Sequence, residues 1–215
     1  MTETPTPCIA IVDDDDALRE SLAWLLESVG IASRAFADGE AFLAADPQGF
    51  DTVLLDVRMP GLSGLQVQQR LAEREQAPPV IIMTGHGDVP MAVAALKAGA
   101  RDFIEKPFNH QQLIDTVQQA LLAHQRARQE AERLSTLRRR YAALRPKERE
   151  ILVHVAGGLT SREVAERLDI SPKTVEVYRL RAMKALGAAN LAELVRLCVA
   201  LGLVEALPAS PSAGD

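Results

Sequence analysis

The chain has 215 residues, 47% of them hydrophobic and 25% charged, which is the composition of a globular protein and leaves room for two small domains. No apolar run approaches the ~18 residues of a membrane-spanning helix. The N-terminus carries no basic segment followed by an apolar stretch, so no signal peptide is expected. The two cysteines lie nearly a whole chain apart. We therefore expect a cytoplasmic protein without a disulfide framework.

Charge is distributed unevenly along the chain. Residues 1–123 contain 8 Lys and Arg against 18 Asp and Glu, a net charge of -10, whereas residues 124–215 contain 16 against 11, a net charge of +5. Opposite charge in the two halves indicates two regions with different tasks. The basic excess of the second half is a weak indication of nucleic-acid binding.

The first half alternates short apolar runs with stretches of helical periodicity. The apolar runs predict five strands, at residues 8–12, 31–36, 52–55, 80–83 and 102–104. Continuously apolar strands that alternate with helices predict βαβ units and a parallel sheet buried on both faces. We therefore predict an α/β domain over residues 1–123, with a doubly wound five-stranded parallel sheet. Ligands of such sheets bind at the carboxyl ends of the strands.

The second half is predicted to be all helical. No breaker occurs between Asn109 and Pro146, so one long helix is expected to leave the first domain and to form a linker at 124–143. Its apolar residues beyond 133 recur at roughly heptad spacing, which fits either pairing with a second copy or a solvated spacer. Three breaks divide residues 144–207 into four short helices, and the Pro- and Ala-rich segment 208–215 is expected to be disordered.

Polar side chains follow four of the five predicted strands. Asp13 and Asp14 end the first strand, Asp56 the third and Thr84 the fourth, and Lys106 follows the fifth. Crowded carboxylates favour a hard dication such as Mg²⁺. An ionised Asp56 could then accept a phosphoryl group whose charge is neutralised by the cation and by Lys106. Each residue alone also fits a helix cap, a turn or a solvated side chain, but their convergence favours a pocket.

The motifs around these residues resemble those of the receiver domains of two-component response regulators. They are IVDDDD at 11–16, LLDVRMPGLSG at 54–64, MTGHGDVPMAVAALKAGA at 83–100 and DFIEKPF at 102–108. The resemblance covers residues 8–123 and implies a CheY-like fold with Asp56 as the phosphoacceptor. It implies Mg²⁺, or Mn²⁺, held by Asp14, Asp56, the main-chain carbonyl of Arg58 and, through water, Asp13.

The same resemblance implies a switch and a dimer surface. Thr84 would be the switch hydroxyl, Phe103 the switch aromatic and Lys106 the phosphoryl contact, with a cis peptide bond before Pro107. Arg58 and His86 would border the phosphoryl group and influence how long it persists. The dimer surface would include four residues on and after the fourth helix: Met91, Ala95, Lys97 and Arg101.

Residues 160–186 have the pattern of a helix-turn-helix. A short amphipathic helix at 160–168 is followed by a turn and by a second helix at 172–186, for which Ser171 is the predicted N-cap and Pro172 the first residue. One face of the second helix is apolar, with Val175, Tyr178, Ala182 and Leu186. The opposite face mixes basic and apolar residues, Lys173, Val177, Leu180 and Lys184, which suits the major groove of DNA.

The segments LRPKEREIL and GGLTSREVAERLDISPKTVEVYRLRAMKAL resemble the DNA-binding domain of LuxR/FixJ/NarL-type regulators. That family has four helices, the third of which reads DNA, and the fourth would here be 191–201. The resemblance implies DNA contact by eight residues: Lys173, Thr174, Glu176, Val177, Arg179, Leu180, Arg181 and Lys184. Arg145 replaces the family's usual Ser or Thr cap, and Tyr178 replaces a more frequent His.

The combined motifs are most similar to the FixJ branch. This implies a response regulator that receives a phosphoryl group from a histidine kinase, dimerises, binds double-stranded promoter DNA and acts on RNA polymerase as an activator. Only slow self-dephosphorylation is expected as a chemical activity. The alternatives are a Mg²⁺-dependent phosphatase, disfavoured because Arg58 stands where such enzymes need a second Asp, and a receiver joined to an RNA- or protein-binding helical module.

Overall fold

The computed structural model describes residues 7–74, 76–85 and 89–205, and only the backbone of residues 89–92. The chain divides into two compact units at Arg128 and Gln129. None of the helices in the described ranges is long and apolar enough to cross a membrane. The predicted tail at 208–215 lies outside the described residues.

The first unit contains a five-stranded sheet in which every pairing is parallel. Its strands are β1 (Cys8–Val12), β2 (Ala32–Phe36), β3 (Thr52–Asp56), β4 (Val80–Thr84) and β5 (Asp102–Glu105). The spatial order is β2-β1-β3-β4-β5. The predicted α/β fold is confirmed, and each strand begins and ends within one residue of its predicted position.

Helices connect successive strands of the first unit, and a further helix follows the last strand. They are α1 (Asp16–Ser28), α2 (Gly39–Ala44), α3 (Gly64–Ala72), α4 (Val89–Lys97) and α5 (His110–Ala142), with a short 3₁₀ turn at Pro47–Gly49. Adjacent residues of β1 pack into different cores, Ile9 and Ile11 into one and Ala10 and Val12 into the other. Both faces of the sheet are therefore buried, which explains the continuous apolar runs in the sequence.

Gly64 allows α3 to begin directly against the end of β3. A Cβ atom at this position would lie 2.2 Å from the carbonyl oxygen of Asp56, closer than non-bonded atoms can approach. Ser63 caps the helix, and its backbone N–H donates to the side chain of Gln66 at 3.0 Å. This capping box fixes the turn that follows Asp56.

The regular secondary structure of the second unit, in the residues described, is all helical. After the C-terminal part of α5 come α6 (Pro146–Ala156), α7 (Ser161–Leu168), α8 (Pro172–Leu186) and α9 (Leu191–Ala200). The four predicted helices are thus present. Leu137 of α5 is buried in the core of this unit and Tyr141 packs against it. These two side chains, predicted as part of a heptad or of a solvated spacer, contribute to a folded core.

Side-chain caps fix the starts of α7 and α8. Thr160 forms a capping box with Glu163, whose carboxylate accepts from the Thr160 backbone N–H at 2.7 Å. Ser171, the predicted cap of α8, accepts from the backbone N–H of Thr174 at 3.1 Å. At α6, where Arg145 supplies no cap, Glu148 accepts from the Arg145 backbone N–H at 3.0 Å. Each helix start thus has a partner for exposed backbone donors.

Candidate functional site

Three polar side chains are buried at the carboxyl edge of the sheet. Asp13, Asp56 and Thr84 are 1%, 6% and 3% exposed. The ammonium of Lys106 donates to Oδ2 of Asp13 at 2.7 Å and to Oδ1 of Asp56 at 2.5 Å. The structure thus brings together four of the five residues predicted to share a pocket.

The second carboxylate oxygen of Asp56 also has a partner. Its Oδ2 accepts a hydrogen bond from the backbone N–H of Arg58 at 2.8 Å. The Arg58 side chain itself is exposed. Thr84 donates its hydroxyl to the carbonyl of Gly85 at 3.3 Å, which is a long and therefore weak hydrogen bond. The peptide bond between Lys106 and Pro107 is cis, as predicted.

Burial controls the electrostatics of this pocket. Desolvation raises the pKa of Asp56 above its ordinary value, although the hydrogen bond from Lys106 opposes the shift. Burial disfavours the charged form of Lys106 too, but its hydrogen bonds to Asp13 and Asp56 outweigh this and raise the pKa of the ammonium. Lys106 therefore stays charged at neutral pH and balances the buried carboxylates.

Asp14 differs from the other members of the predicted pocket because its side chain is exposed. Within the described ranges, no three His, Cys, Asp or Glu side chains are already clustered as a metal cage. Two carboxylate oxygens, from Asp13 and Asp56, nevertheless converge on a single cation, the Lys106 ammonium. Hard oxygen ligands on one cation are the donor set that suits Mg²⁺, so the residues present fit this ion.

Arg19 is a residue near this pocket that the sequence did not reveal. Its guanidinium donates to the carbonyl of Asp13 at 2.6 Å and pairs with the Asp16 carboxylate, and its side chain is only 12% exposed. It ties the first turn of α1 to the loop that carries the acidic residues. An arginine one turn into a helix resembles a solvated surface residue in a sequence, so no pattern could have singled it out.

The predicted switch and dimer residues have different environments. Phe103 is partly buried and packs against the first core, whereas Lys97 and Arg101 are exposed. The assignment of Ala95 to a dimer surface is wrong, because it is fully buried and its carbonyl accepts from Gln68 at 2.8 Å. The Met91 side chain and all of His86 lie outside the described residues.

In the second unit, α8 presents the face that the sequence predicted. Val175, Ala182 and Leu186 are buried and Tyr178 packs against the same core. The opposite face is exposed: Lys173, Val177, Leu180, Arg181 and Lys184. On this face Leu180 is 59% exposed and Val177 is 43% exposed, so two apolar side chains are accessible among the basic ones.

Three of the eight residues predicted to contact DNA are engaged within the protein. Glu176 pairs with Arg179 one turn later, with 2.7 Å between Oε2 and Nη2. Its other oxygen, Oε1, accepts a hydrogen bond from the hydroxyl of Ser161 on α7. The third is Thr174, which is partly buried and whose hydroxyl is hydrogen-bonded to that of Ser171.

Two protein families match the chain, one in each unit. Residues 9–118 match the response regulator receiver domain, and residues 142–198 match the bacterial regulatory proteins of the luxR family. The receiver match includes the buried pocket and the second match includes α6, α7 and α8.

Full-length relatives share this domain combination. The transcriptional regulatory protein FixJ of Azorhizobium caulinodans is 45% identical over 206 residues, which are 95% of this chain and 97% of that protein. The C4-dicarboxylate transport transcriptional regulatory protein DctR of Rhodobacter capsulatus is 44% identical over 192 residues, 88% of this chain and 98% of that protein.

Solved structures are similar over nearly the whole chain. Full-length FixJ from B. japonicum is 41% identical with a TM-score of 0.58 and covers 94% of this chain and 100% of its own. The response regulator StyR is 36% identical with a TM-score of 0.81 and covers 90% of this chain and 98% of its own. The protein therefore belongs to the response regulators that join a receiver domain to a LuxR-type helix-turn-helix domain and regulate transcription.

Proposed function

We propose that Asp56 accepts a phosphoryl group from a partner histidine kinase and that this modification raises the affinity of the protein for promoter DNA. The observation that carries the proposal is the Lys106 ammonium, which contacts the buried carboxylates of Asp13 and Asp56 at once. A partly buried cation next to a buried carboxylate is the arrangement needed to neutralise the charge of an incoming phosphoryl group.

The proposed reaction transfers a phosphoryl group from a histidine nitrogen to a carboxylate oxygen of Asp56. A carboxylate oxygen of Asp56 attacks the phosphorus of a phosphohistidine, the P–N bond breaks, and the imidazole leaves and regains a proton. The product is an acyl phosphate on Asp56. Lys106 remains within reach of its oxygens, and slow attack by water returns the free carboxylate and inorganic phosphate.

The Mg²⁺ that receiver domains generally bind would supply further charge neutralisation at this edge of the sheet. Asp13 and Asp56 offer convergent oxygens, and Asp14, exposed at the same loop, is the proposed third carboxylate. The main-chain carbonyl of Arg58 is the proposed fourth ligand. Mn²⁺ is accepted by the same oxygen ligands.

The proposed switch starts at Thr84. Its hydroxyl is buried at the end of β4 and makes a long hydrogen bond of 3.3 Å to the carbonyl of Gly85, so a phosphoryl oxygen offers it a stronger partner. Movement of Thr84 would leave space that Phe103 of β5 can enter. We propose that Lys97 and Arg101, which are exposed next to these strands, belong to the surface through which two copies dimerise. Phosphorylation then acts as a population shift between two arrangements.

The proposed DNA contacts lie on α8. Lys173, Thr174, Val177 and Leu180 belong to the first three turns of the helix and would face base edges in the major groove. The basic residues Arg179, Arg181 and Lys184 would bind phosphates. We propose that a dimer places two such helices in successive grooves of promoter DNA and activates RNA polymerase there.

The test is phosphorylation of the full chain by a small phosphodonor. Acetyl phosphate with Mg²⁺ should add one phosphoryl group to the wild type, as measured by mass spectrometry, and none to Asp56→Asn. Binding to duplexes selected from a random-sequence pool should strengthen only in the phosphorylated wild type. Preference for structured RNA over duplex DNA in both states would overturn the proposal and favour an RNA-binding module.

A further inference from the structure

Glu176 lies on α8, and its carboxylate is bonded to one side chain of α7 and to one of α8. It belongs to the second turn of α8, and its Oε1 accepts from the hydroxyl of Ser161, the first residue of α7. Its Oε2 accepts from Nη2 of Arg179 at 2.7 Å. Both oxygens of this carboxylate are therefore engaged inside the protein.

The location of Glu176 on α8 separates it from the exposed face. With 3.6 residues per turn, Glu176 and Arg179 lie on the flank between the buried Val175 and the exposed Leu180. The side chains are 41% and 29% exposed, and Nε of Arg179 is buried without a hydrogen-bond partner among the described residues. Because Nε is buried, a ligand would be bound by the Nη atoms of the Arg179 guanidinium.

We infer that Glu176 is a positioning residue, which clamps α7 to α8 and holds the guanidinium of Arg179 ready for a DNA phosphate, and that it does not read a base. The inference rests on the proposed DNA-binding role of α8. A glutamate that reads DNA needs a free carboxylate oxygen to accept from the amino group of cytosine. Here both carboxylate oxygens of Glu176 already have partners. Turning the carboxylate towards a base would leave the positive charge of Arg179 without a counter-charge.

The pairing also resolves the problem of an acidic residue beside the DNA backbone. An isolated carboxylate would repel phosphates, whereas a carboxylate paired with Arg179 presents no net charge. Besides the N–H that donates to Glu176, the Arg179 guanidinium carries further N–H donors, and the contact with Glu176 fixes their orientation. An arginine whose rotamer is fixed in advance loses less freedom when it binds a phosphate.

Three roles of Glu176 make different predictions for the variant Glu176→Gln. If Glu176 reads a base, the variant prefers a different base at one position of each half-site. If Glu176 merely repels phosphate, the variant binds DNA more tightly. If it positions Arg179, the preferred sequence is unchanged and binding weakens.

The experiment uses the full-length protein, activated with beryllofluoride and Mg²⁺. Preferred duplexes are selected from a random-sequence pool with the wild type and with each variant. Fluorescence anisotropy then gives the affinity for the wild-type duplex at several salt concentrations. The variants are Glu176→Gln, Ser161→Ala, Arg179→Ala and the double variant of Glu176 and Arg179. The control is Glu150→Gln, which removes one exposed carboxylate from α6.

We expect Glu176→Gln to select the same sequence as the wild type and to bind it several-fold more weakly. Its slope of log affinity against log salt should fall by about 0.9, the contribution of one phosphate contact. Arg179→Ala should lose at least as much, because it also leaves the Glu176 carboxylate without its charge partner, and the double variant should lose no more than Arg179→Ala. Ser161→Ala should weaken binding in the same direction, while the Glu150 control should match the wild type.

A changed base preference in Glu176→Gln, tighter binding, or additive losses in the double variant would overturn the inference. Thermal unfolding followed by circular dichroism shows whether a variant is folded. Should Glu176→Gln fail to fold, Ser161→Ala decides the question, because it removes a single hydroxyl at the other end of the clamp. A wild type that selects no sequence would instead contradict the proposed DNA-binding function.

Discussion

The ammonium of Lys106 lies 2.5 Å from Oδ1 of Asp56, although fifty residues separate them along the chain. Their strands are not neighbours, because β4 lies between β3 and β5. The two residues meet because all the strands are parallel and end at one edge of the sheet. Because Lys106 neutralises the buried carboxylates of Asp13 and Asp56, the stability of the unphosphorylated receiver domain depends on this lysine.

Replacing Lys106 with Met should destabilise the receiver domain. Two buried carboxylates would then share a pocket without a cation, and breaking a buried pair in this way typically costs several kcal/mol. Since 24% of the Lys106 side chain is exposed, solvent screening reduces the cost. We expect a loss of about 2 kcal/mol in the free energy of unfolding at pH 7, measured with urea without Mg²⁺.

Added Mg²⁺ should restore part of this stability, because a dication can neutralise the same oxygens. The matched control is Lys97→Met, which removes an exposed lysine and should change the free energy of unfolding little. Equal stability of the Lys106 and Lys97 variants would contradict the charge-balance account.

Replacing Asp56 with Asn should have the opposite effect at neutral pH. Burial raises the pKa of Asp56 above its ordinary value of 3.8, so the folded state holds the proton more tightly than the unfolded state. The stability contributed by this group is present at low pH and is lost as the pH rises through the raised pKa. Without Mg²⁺, we expect Asp56→Asn to exceed the wild type by about 1 kcal/mol at pH 7.

The comparison requires urea unfolding of both proteins between pH 4 and pH 8. The difference should shrink towards the acidic end, because the wild-type carboxyl becomes protonated and its burial no longer carries a charge penalty. Groups remote from Asp56 titrate alike in both proteins and cancel from the difference. A difference that does not vary with pH, or a variant less stable than the wild type at pH 7, would refute this explanation.

Gly64→Ala should disrupt the turn that follows Asp56. The new Cβ would lie 2.2 Å from a backbone oxygen that has little freedom to move. We expect a loss of roughly 3 kcal/mol in the free energy of unfolding, at the upper end of single-residue effects. Gly49→Ala is the control, since its Cβ would meet nothing within 4 Å. Similar stability of the two variants would show that the β3–α3 connection is more adaptable than its geometry indicates.

Much of the fold follows from local pattern. The strand positions could be predicted because each strand is buried on both faces and is therefore continuously apolar. The pocket could be predicted because parallel strands place Asp13, Asp56 and Lys106 at one edge. Both ends of α8 could be predicted, because Ser171 and Pro172 mark its start and Gly187, with φ of 80°, marks its end.

Contacts between helices could not be predicted in the same way. The bond from Ser161 to Glu176 and the burial of Ala95 depend on how particular helices pack, which neither periodicity nor capping specifies. Gln68 illustrates the same limit, because its buried amide donates to the Ala95 carbonyl from a position where an apolar residue would be expected. The resemblance to receiver domains supplied residue roles, but it misplaced Ala95 on the surface.

Replacing Lys184 with Ala should weaken DNA binding without affecting stability. The side chain is exposed on α8, so its loss leaves no cavity. If it binds one phosphate, the slope of log affinity against log salt should fall by about 0.9 and every duplex should be weakened alike. Val175→Ala is the contrasting variant, because it is fully buried and should lower the unfolding temperature. A change of sequence preference in the Lys184 variant would assign this lysine to a base instead.

The central claim is that phosphorylation of Asp56 controls DNA binding, and one paired measurement tests it most directly. Wild type and Asp56→Asn are incubated with acetyl phosphate and Mg²⁺, and phosphoryl content and duplex affinity are measured on the same samples. We predict that the wild type gains one phosphoryl group and binds its selected duplex about tenfold more tightly, whereas the variant gains neither. A phosphorylated wild type with unchanged affinity, or a variant that responds like the wild type, would contradict the account.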